Sequence, residues 1–211
     1  MTAARIARLR TMLAELNVDA LVLTNPANRM WATGFTSYAT TGFSTDIAIV
    51  TATEVIIMAS GNNTGWARGE SLVATDVVAH SGPFAQSLAT ELSARDLTKV
   101  GVEADTLPWP EATTLQGAFG GSISFVTGLR DQLRTVKDQT EQAFAREAAR
   151  ITDLAFEEVA AAKLVGKRED EVARRISARL IELGDGLAFD VIVASDSGSS
   201  VIRGSRGPTA T

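Results

Sequence analysis

Residues Asp19–Phe35, with the sequence DALVLTNPANRMWATGF, join a strand signal to a helix signal without a linker. The first part, Asp19–Thr24, is a nearly continuous apolar run of the kind that is buried on both faces of a sheet. Asn25 can cap a helix, Pro26 suits its first position, and Gly34 suits its C-terminal cap. The segment therefore predicts a buried strand that leads directly into a short helix.

The flanking sequence continues this alternation of strands and helices up to about residue 127. Upstream, Arg5–Leu16 places apolar residues at helical spacing and predicts an amphipathic helix. Downstream, the predicted strands are Asp46–Thr51, Glu54–Ala59, Asp76–His80, Lys99–Glu103 and Ser122–Val126, and the predicted helices are 62–72, 83–95 and 108–119. Only Ala52 and Thr53 separate the first two of these strands, which indicates a hairpin. Together these elements predict an α/β domain with a mixed sheet.

Beyond Val136 the pattern changes, and we place a domain boundary there. Asp138–Val165 is a long helical pattern with an apolar stripe, and Lys167–Leu183 predicts a second helix that ends at a glycine. The next segment, Gly186–Ser200, has the sequence GLAFDVIVASDSGSS. It predicts a short apolar strand that opens into a polar loop. We therefore expect two domains, 1–136 and 137–211.

Composition and charge exclude several classes of protein. The chain has 211 residues, of which 45% are hydrophobic and 21% charged, as in an ordinary soluble globular protein. A formal net charge of −5 leaves no basic surplus for binding nucleic acid. The absence of cysteine excludes disulfides, zinc fingers and thiol nucleophiles. The single histidine, His80, excludes a multi-histidine metal site.

The amino-terminal segment gives no sign of export or of membrane insertion. Met1–Leu16 is amphipathic and contains arginines, so that it lacks the continuous apolar core of a signal peptide. No apolar run approaches the length needed to cross a membrane. We therefore expect a cytoplasmic protein without a membrane partner.

Four stretches, taken in order, resemble the creatinase and Xaa-Pro aminopeptidase family, whose carboxyl-terminal half has the pita-bread metallopeptidase fold. They are Asp19–Phe35, in which Trp31 stands where that family usually has tyrosine; Val100–Glu103; Leu129–Glu141, which is similar to the family's junction between domains; and Gly186–Ser195, which looks like the first strand of its catalytic domain. The resemblance implies that residues 1–136 are a creatinase-type N-terminal α/β domain. It also implies that residues 137–211 are the incomplete start of an α+β pita-bread domain.

The family resemblance also implies a function. The complete family enzyme holds two divalent metal ions, such as manganese, which generate a hydroxide near neutral pH. All of the family's metal ligands lie downstream of the strand at Phe189–Ser195. We therefore expect no catalytic residue, no metal ligand and no cofactor in this chain. It reads as a truncated member or fragment of an Xaa-Pro aminopeptidase or prolidase-like metallopeptidase, inactive as given.

Three residues are candidates for substrate binding: Trp31, Phe189 and Arg203, the last of which falls where the family has a substrate-binding histidine. The resemblance further implies a homo-oligomer that assembles through the N-terminal domain, and a proline-containing peptide as substrate. An alternative is a non-catalytic protein that uses this domain for oligomerisation or peptide binding. A third possibility is a creatinase-type hydrolase, which needs no metal but does need a downstream histidine.

Other polar and aromatic residues have simpler interpretations. We interpret His80 as a strand-end or loop residue, because no partner at metal-ligand spacing accompanies it. Glu103 and Asp105 could act as an acid–base pair, but a cap and a solvated charge fit better at the end of a strand. Asp190 is expected on the surface, and Trp66 in the core.

Overall fold

The computed structural model describes residues 2–38, 42–195 and 199. The chain divides into two compact units, Met1–Val136 and Lys137–Thr211. Within the described residues, no helix is long and apolar enough to cross a membrane.

The first unit alternates strands and helices as the sequence predicts. Its helices are α1 (Thr2–Leu16), α2 (Pro26–Thr33), α3 (Thr64–Glu70), α4 (Phe84–Ala94), α5 (Trp109–Ala118) and α6 (Leu129–Arg134). Its strands are β1 (Ala20–Leu23), β2 (Ile47–Thr51), β3 (Val55–Ser60), β4 (Asp76–His80), β5 (Lys99–Glu103) and β6 (Ser122–Val126), and a 3-10 turn covers Gly61–Asn63. The expected mixed-sheet α/β fold is confirmed.

The six strands form one sheet in the order β4-β3-β2-β1-β5-β6. Strand β2 is antiparallel to both β1 and β3, whereas the β1–β5, β5–β6 and β3–β4 pairs are parallel. At the centre, Val22 of β1 pairs with Ile49 of β2 and with Val102 of β5. Consequently, five strands run in one direction and only β2 runs against them.

Helices cover both faces of the sheet. One face packs Val22, Ile49 and Met58 against apolar residues of α4 and α5. The opposite face packs Leu21 and Val50 against residues of α1, α2 and α6, with a smaller cluster beneath α3. Because successive strand residues point to opposite faces, a run such as ALVL must be apolar throughout to be buried on both sides. All four residues of β1 are indeed buried.

The second unit contains α7 (Gln139–Ala160) and α8 (Glu169–Leu183). A capping box starts α7: the Asp138 side chain accepts from the Glu141 N–H, and the Glu141 side chain accepts from the Asp138 N–H. Ala155 and Val159 of α7 and Val172 and Ala173 of α8 are buried. Both predicted helices therefore form, but α7 is shorter than the pattern 138–165 suggests.

The strand predicted within Gly186–Ser195 is wrong, because residues 187–195 form no strand in the structure. An extended segment becomes a strand only by pairing with a neighbour, and no other strand lies in the described part of this unit. Instead, Ser195 donates its N–H and its Oγ–H to Oε1 of Glu169, both at 2.8 Å. The rest of the predicted polar loop, 196–200, lies outside the described residues except for Ser199.

Candidate functional site at the carboxyl edge of the sheet

One edge of the sheet collects the carboxyl ends of five strands. Strands β1, β3, β4, β5 and β6 all end there, and the antiparallel β2 begins there directly after Asp46. Loops at the carboxyl ends of parallel strands are where α/β proteins place their functional groups. We call this region the carboxyl edge.

The connections that follow β1 and β5 leave this edge towards opposite faces of the sheet. The connection leaving β1 enters α2, which packs on one face of the sheet, whereas the connection leaving β5 enters α5, which packs on the other. Such a divergence opens a crevice between two neighbouring parallel strands, the usual ligand position in open α/β sheets. In this protein, side chains of the chain itself occupy that position.

Glu103, the last residue of β5, is the centre of this group and is fully buried. Its Oε2 accepts from the Asn25 N–H at 2.8 Å, and its Oε1 accepts from the Asn28 side-chain amide. Arg134 of α6 in turn donates to Asn28 Oδ1 at 3.3 Å. The Thr24 hydroxyl donates to the Glu103 main-chain carbonyl at 2.8 Å. These bonds join the ends of β1 and β5 to the first turn of α2.

The local sequence explains why a carboxylate is placed here. Asn25 caps α2 with its side chain, which accepts from the N–H groups of Ala27 and Asn28. The Asn25 N–H is then left for Glu103, whose negative charge also lies at the positive end of the helix. Burial nevertheless raises the pKa of Glu103, with a smaller contribution from nearby Asp105, while the hydrogen bonds from Asn25 and Asn28 oppose the rise.

A second buried group surrounds Arg29 of α2, whose side chain is fully enclosed. Its guanidinium donates to the carbonyls of Phe35 at 3.3 Å, Thr36 at 2.5 Å and Asp46 at 2.5 Å. It also donates to Ser44 Oγ at 3.2 Å. Burial lowers the pKa of Arg29 to about 10, although Asp46 and Glu70 favour its charge. Arg29 thus holds both ends of the loop between α2 and β2.

Two carboxylates complete this second group. Asp46 accepts from the Ser37 hydroxyl, from the Ser60 N–H at 2.8 Å and from the Asn63 amide at 2.7 Å. Glu70 accepts from the N–H and hydroxyl of Thr36 at 2.9 and 2.8 Å. The Asp46 carboxylate therefore ties the start of β2 to the end of β3.

The two groups are scaffolding in chemical terms. Buried carboxylates and guanidinium groups whose hydrogen bonds to main-chain and side-chain atoms are satisfied hold loops in place and leave no free base or acid. Tyr38, which follows Thr36 in the loop held by Arg29, and Trp109, the first residue of α5, are 82% and 77% exposed. His80 also lies here, at the end of β4, and both of its ring nitrogens are buried without a hydrogen-bond partner in the described part of the chain.

The described residues do not fit a dinuclear metal centre. No group of three or more His, Cys, Asp or Glu side chains converges among residues 2–38, 42–195 and 199. A pair of divalent ions needs several shared carboxylate or imidazole ligands.

The three predicted substrate-binding residues are not brought together at this edge. Trp31 is buried on the face beneath α1, where Arg5 lies 5.1 Å from the centre of its ring. Phe189 belongs to the second unit and is 81% exposed. Arg203 lies outside the described residues. A role in substrate binding stays a prediction for all three.

The other single-residue interpretations have mixed outcomes. Glu103 does cap a helix, but Asp105 also bonds to the protein, accepting from the Gly128 N–H at 2.8 Å at the start of α6. Asp190 is exposed, as expected. Trp66 is only half-buried, and its ring meets Phe35 and Tyr38 edge-on at 6.0 and 4.8 Å.

Sequence reasoning missed Arg29 and Asp46 entirely. A charged residue in a short capped helix and another before a strand are both common on surfaces. No local signal in the sequence marks Arg29 as buried, since the neighbouring apolar residue Met30 is itself exposed. Its partners come from a loop whose course cannot be derived from a pattern.

These features define a class of protein: an α/β domain with a six-stranded mixed sheet, followed by a helical unit. The domain's own side chains occupy the crevice at the carboxyl edge of that sheet. The Creatinase/Prolidase N-terminal domain model matches residues 5–136, and the chain belongs to that family. The resemblance seen in the sequence is therefore confirmed.

Known proteins extend the likeness over both units. The uncharacterized peptidase YqhT of Bacillus subtilis (strain 168) is 23% identical over 202 residues, which cover 95% of this chain and 55% of that protein. An Xaa-Pro dipeptidase from Bacillus anthracis superposes with a TM-score of 0.86 at 25% identity, over 100% of this chain and 57% of its own. The prolidase from Pyrococcus furiosus gives a TM-score of 0.76 at 21% identity, over 95% of this chain and 56% of that prolidase. The chain therefore spans somewhat more than half the length of these relatives.

Proposed function

We propose that these 211 residues act as the amino-terminal part of an Xaa-Pro peptidase that cleaves proline-containing peptides. The observation that carries the proposal is the superposition of the whole chain on an Xaa-Pro dipeptidase of Bacillus anthracis. Both units take part in that match, so the likeness is not restricted to the amino-terminal domain. The second unit supports the proposal that residues 137–211 begin a pita-bread domain.

In this proposal the amino-terminal domain supplies shape and contacts, and the rest of the peptidase supplies the chemistry. The scaffold around Glu103 and Arg29 fixes the loops of the carboxyl edge, which is suited to a rigid contact surface. In this proposal the divalent metal ions are bound by ligands outside the described residues, within which no group of three candidate ligands converges. We also propose a homo-oligomer formed through the amino-terminal domain, and a cytoplasmic location.

The experiment compares two polypeptides. One is the 211-residue chain, and the other is the same chain extended by whatever coding sequence continues its reading frame. Both are assayed on an Xaa-Pro dipeptide and a longer peptide with proline at the second position, with manganese and with a chelator. An otherwise equal Xaa-Ala peptide is the control. We expect proline-specific, chelator-sensitive turnover from the extended protein only.

Two outcomes would contradict the proposal. Chelator-sensitive turnover by the 211 residues alone would show that they hold a complete metal site. An extended protein that binds proline peptides without cleaving them would favour the non-catalytic alternative. Hydrolysis of creatine in the presence of chelator would instead support the creatinase-type reaction.

A further inference from the structure

The two outer strands of the sheet, β4 and β6, differ in how their free edges are protected. Unpaired N–H and C=O groups along an outer strand are a template for pairing with another chain, and proteins usually block them with charges or prolines. Strand β4 is blocked in this way. Arg68 of α3 donates to the outward carbonyl of Val77 at 3.0 Å, and Asp76 forms an ion pair with Arg95.

Strand β6 has none of these protections. Its sequence is Ser-Ile-Ser-Phe-Val, and no charged residue and no proline occurs between Glu111 and Arg130. The strand is also open to solvent: Ser122, Ser124 and Phe125 are exposed. In a chain with a net charge of −5, such a long neutral stretch at an outer strand is notable.

The direction of the main-chain groups on β6 follows from its pairing with β5. Ser122 donates its N–H to the Thr98 carbonyl at 2.8 Å, and the Val126 carbonyl accepts from Ala104 at 2.9 Å. Even-numbered residues of β6 therefore face β5. Because main-chain groups alternate along a strand, those of Ile123 and Phe125 face outward. Strand β6 is the last in the sheet, and within the described residues no hydrogen bond reaches these outward groups.

We propose that β6 pairs with β6 of a second copy of this chain, antiparallel and across a two-fold axis, joining two sheets into one. A two-fold axis brings the same strand from both copies together, so the edge must be complementary to itself. A neutral edge meets this condition, since no like charges oppose each other. Centring the axis on Ser124 places Ile123 opposite Phe125 of the second copy, an aliphatic–aromatic pair with reciprocal hydrogen bonds.

Pairing through β6 gives the proposed homo-oligomer of the amino-terminal domain a defined surface and rests on that part of the proposed function, whereas it does not depend on the proposed peptidase activity. Strand pairing over five residues buries less area than a typical stable interface, so the dimer should dissociate on dilution. Sedimentation of the 211-residue chain over a wide concentration range is the first measurement. We expect a reversible monomer–dimer equilibrium.

Substitution at Ser124 tests the location of the axis. Ser124→Lys puts two like charges directly opposite each other, and we expect dimerisation to weaken about fivefold or more. Ser124→Glu should weaken it similarly, whereas an equimolar mixture of the two variants should associate at least as well as the original chain. Gln116→Lys is the matched control, because it adds the same charge to an exposed position of the same neutral stretch but on α5, and it should leave dimerisation unchanged.

Hydrogen exchange supplies a readout specific to strand pairing. Raising the concentration through the dimerisation midpoint should slow exchange at the N–H groups of Ile123 and Phe125 while leaving Ser124 and Val126 as they were. A monomer at every concentration would overturn the proposal. A dimer whose affinity is unchanged by Ser124→Lys would equally overturn it, because association would then use another surface. The same holds for a dimer in which exchange at Ile123 and Phe125 is not slowed selectively.

Discussion

The Glu103 carboxylate and the Asn28 side-chain amide form a hydrogen bond between two fully buried residues that are 75 positions apart in sequence. The bond joins the end of β5 to α2, and the Asn25 N–H donates to the other carboxylate oxygen. Burying a carboxylate in this position costs free energy, and replacing it would leave its buried hydrogen-bond donors without an acceptor. It makes the stability of the first unit depend on pH.

For Glu103, we expect the stabilising contribution to decrease as pH rises. Burial raises its pKa above the ordinary value of 4.5, so the folded state holds the proton more tightly than the unfolded state. The contribution of Glu103 to stability is thus fully present below pH 4.5 and is lost as pH rises through the raised pKa. Glu103→Gln removes the titration and one of the two hydrogen bonds, at a cost of about 1–3 kcal/mol. Urea unfolding at several pH values should show that the difference in free energy of unfolding between the original chain and the variant decreases above pH 4.5.

Asp19 should show the opposite dependence. Hydrogen bonds from the Thr98 N–H, the Lys99 N–H and the Thr98 hydroxyl lower its pKa below the ordinary 3.8. Its contribution is therefore fully present above pH 3.8 and is lost as pH falls through the lowered pKa. Asp19→Asn should cost roughly 1 kcal/mol at neutral pH, since the site is exposed. The difference should vanish in acid. A difference between the two proteins that does not diminish at all as pH falls below 3.8 would show that the charge of the carboxylate is not responsible.

How far the sequence predicts this protein depends on the range of the interactions involved. The strand–helix segment 19–35 is predictable because its signals are local: an apolar run, the Asn25 cap, Pro26 and Gly34 at a φ of 88°. The buried roles of Glu103 and Arg29 are not predictable, because their partners lie in distant segments. The strand predicted at 187–194 fails for the same reason, since alternation and apolarity cannot supply a neighbouring strand to pair with.

Arg29 should be among the most sensitive positions in the first unit. Arg29→Met keeps the apolar stem but leaves the carbonyls of Phe35, Thr36 and Asp46 without their donor, at a cost of about 3–5 kcal/mol. Arg29→Lys keeps the charge but not the fork of donors, so an intermediate loss is expected. Thermal unfolding should rank the original chain above Arg29→Lys and Arg29→Lys above Arg29→Met. Limited proteolysis of both variants should show faster cleavage between residues 36 and 46 than in the original chain. Arg10→Met is the control, because Arg10 makes a single main-chain bond, to Thr51. Equal losses at the two positions would contradict a special role for Arg29.

Gly121 and Gly117 form a matched pair that tests the start of β6. A Cβ atom at Gly121 would lie 2.3 Å from the Thr98 carbonyl oxygen and 2.7 Å from the Phe119 ring. That oxygen also accepts from the Ser122 N–H, the first bond of the β5–β6 pair, so Gly121→Ala must displace the strand where it begins. We expect a loss of about 1–3 kcal/mol from this crowding. At Gly117, in α5, a Cβ atom would meet nothing within 4 Å, and alanine should stabilise the helix by about 0.5–1 kcal/mol. Denaturant unfolding of both variants should therefore give shifts of opposite sign; a tolerated alanine at Gly121 would mean that β6 does not approach Thr98 as closely as the structure shows.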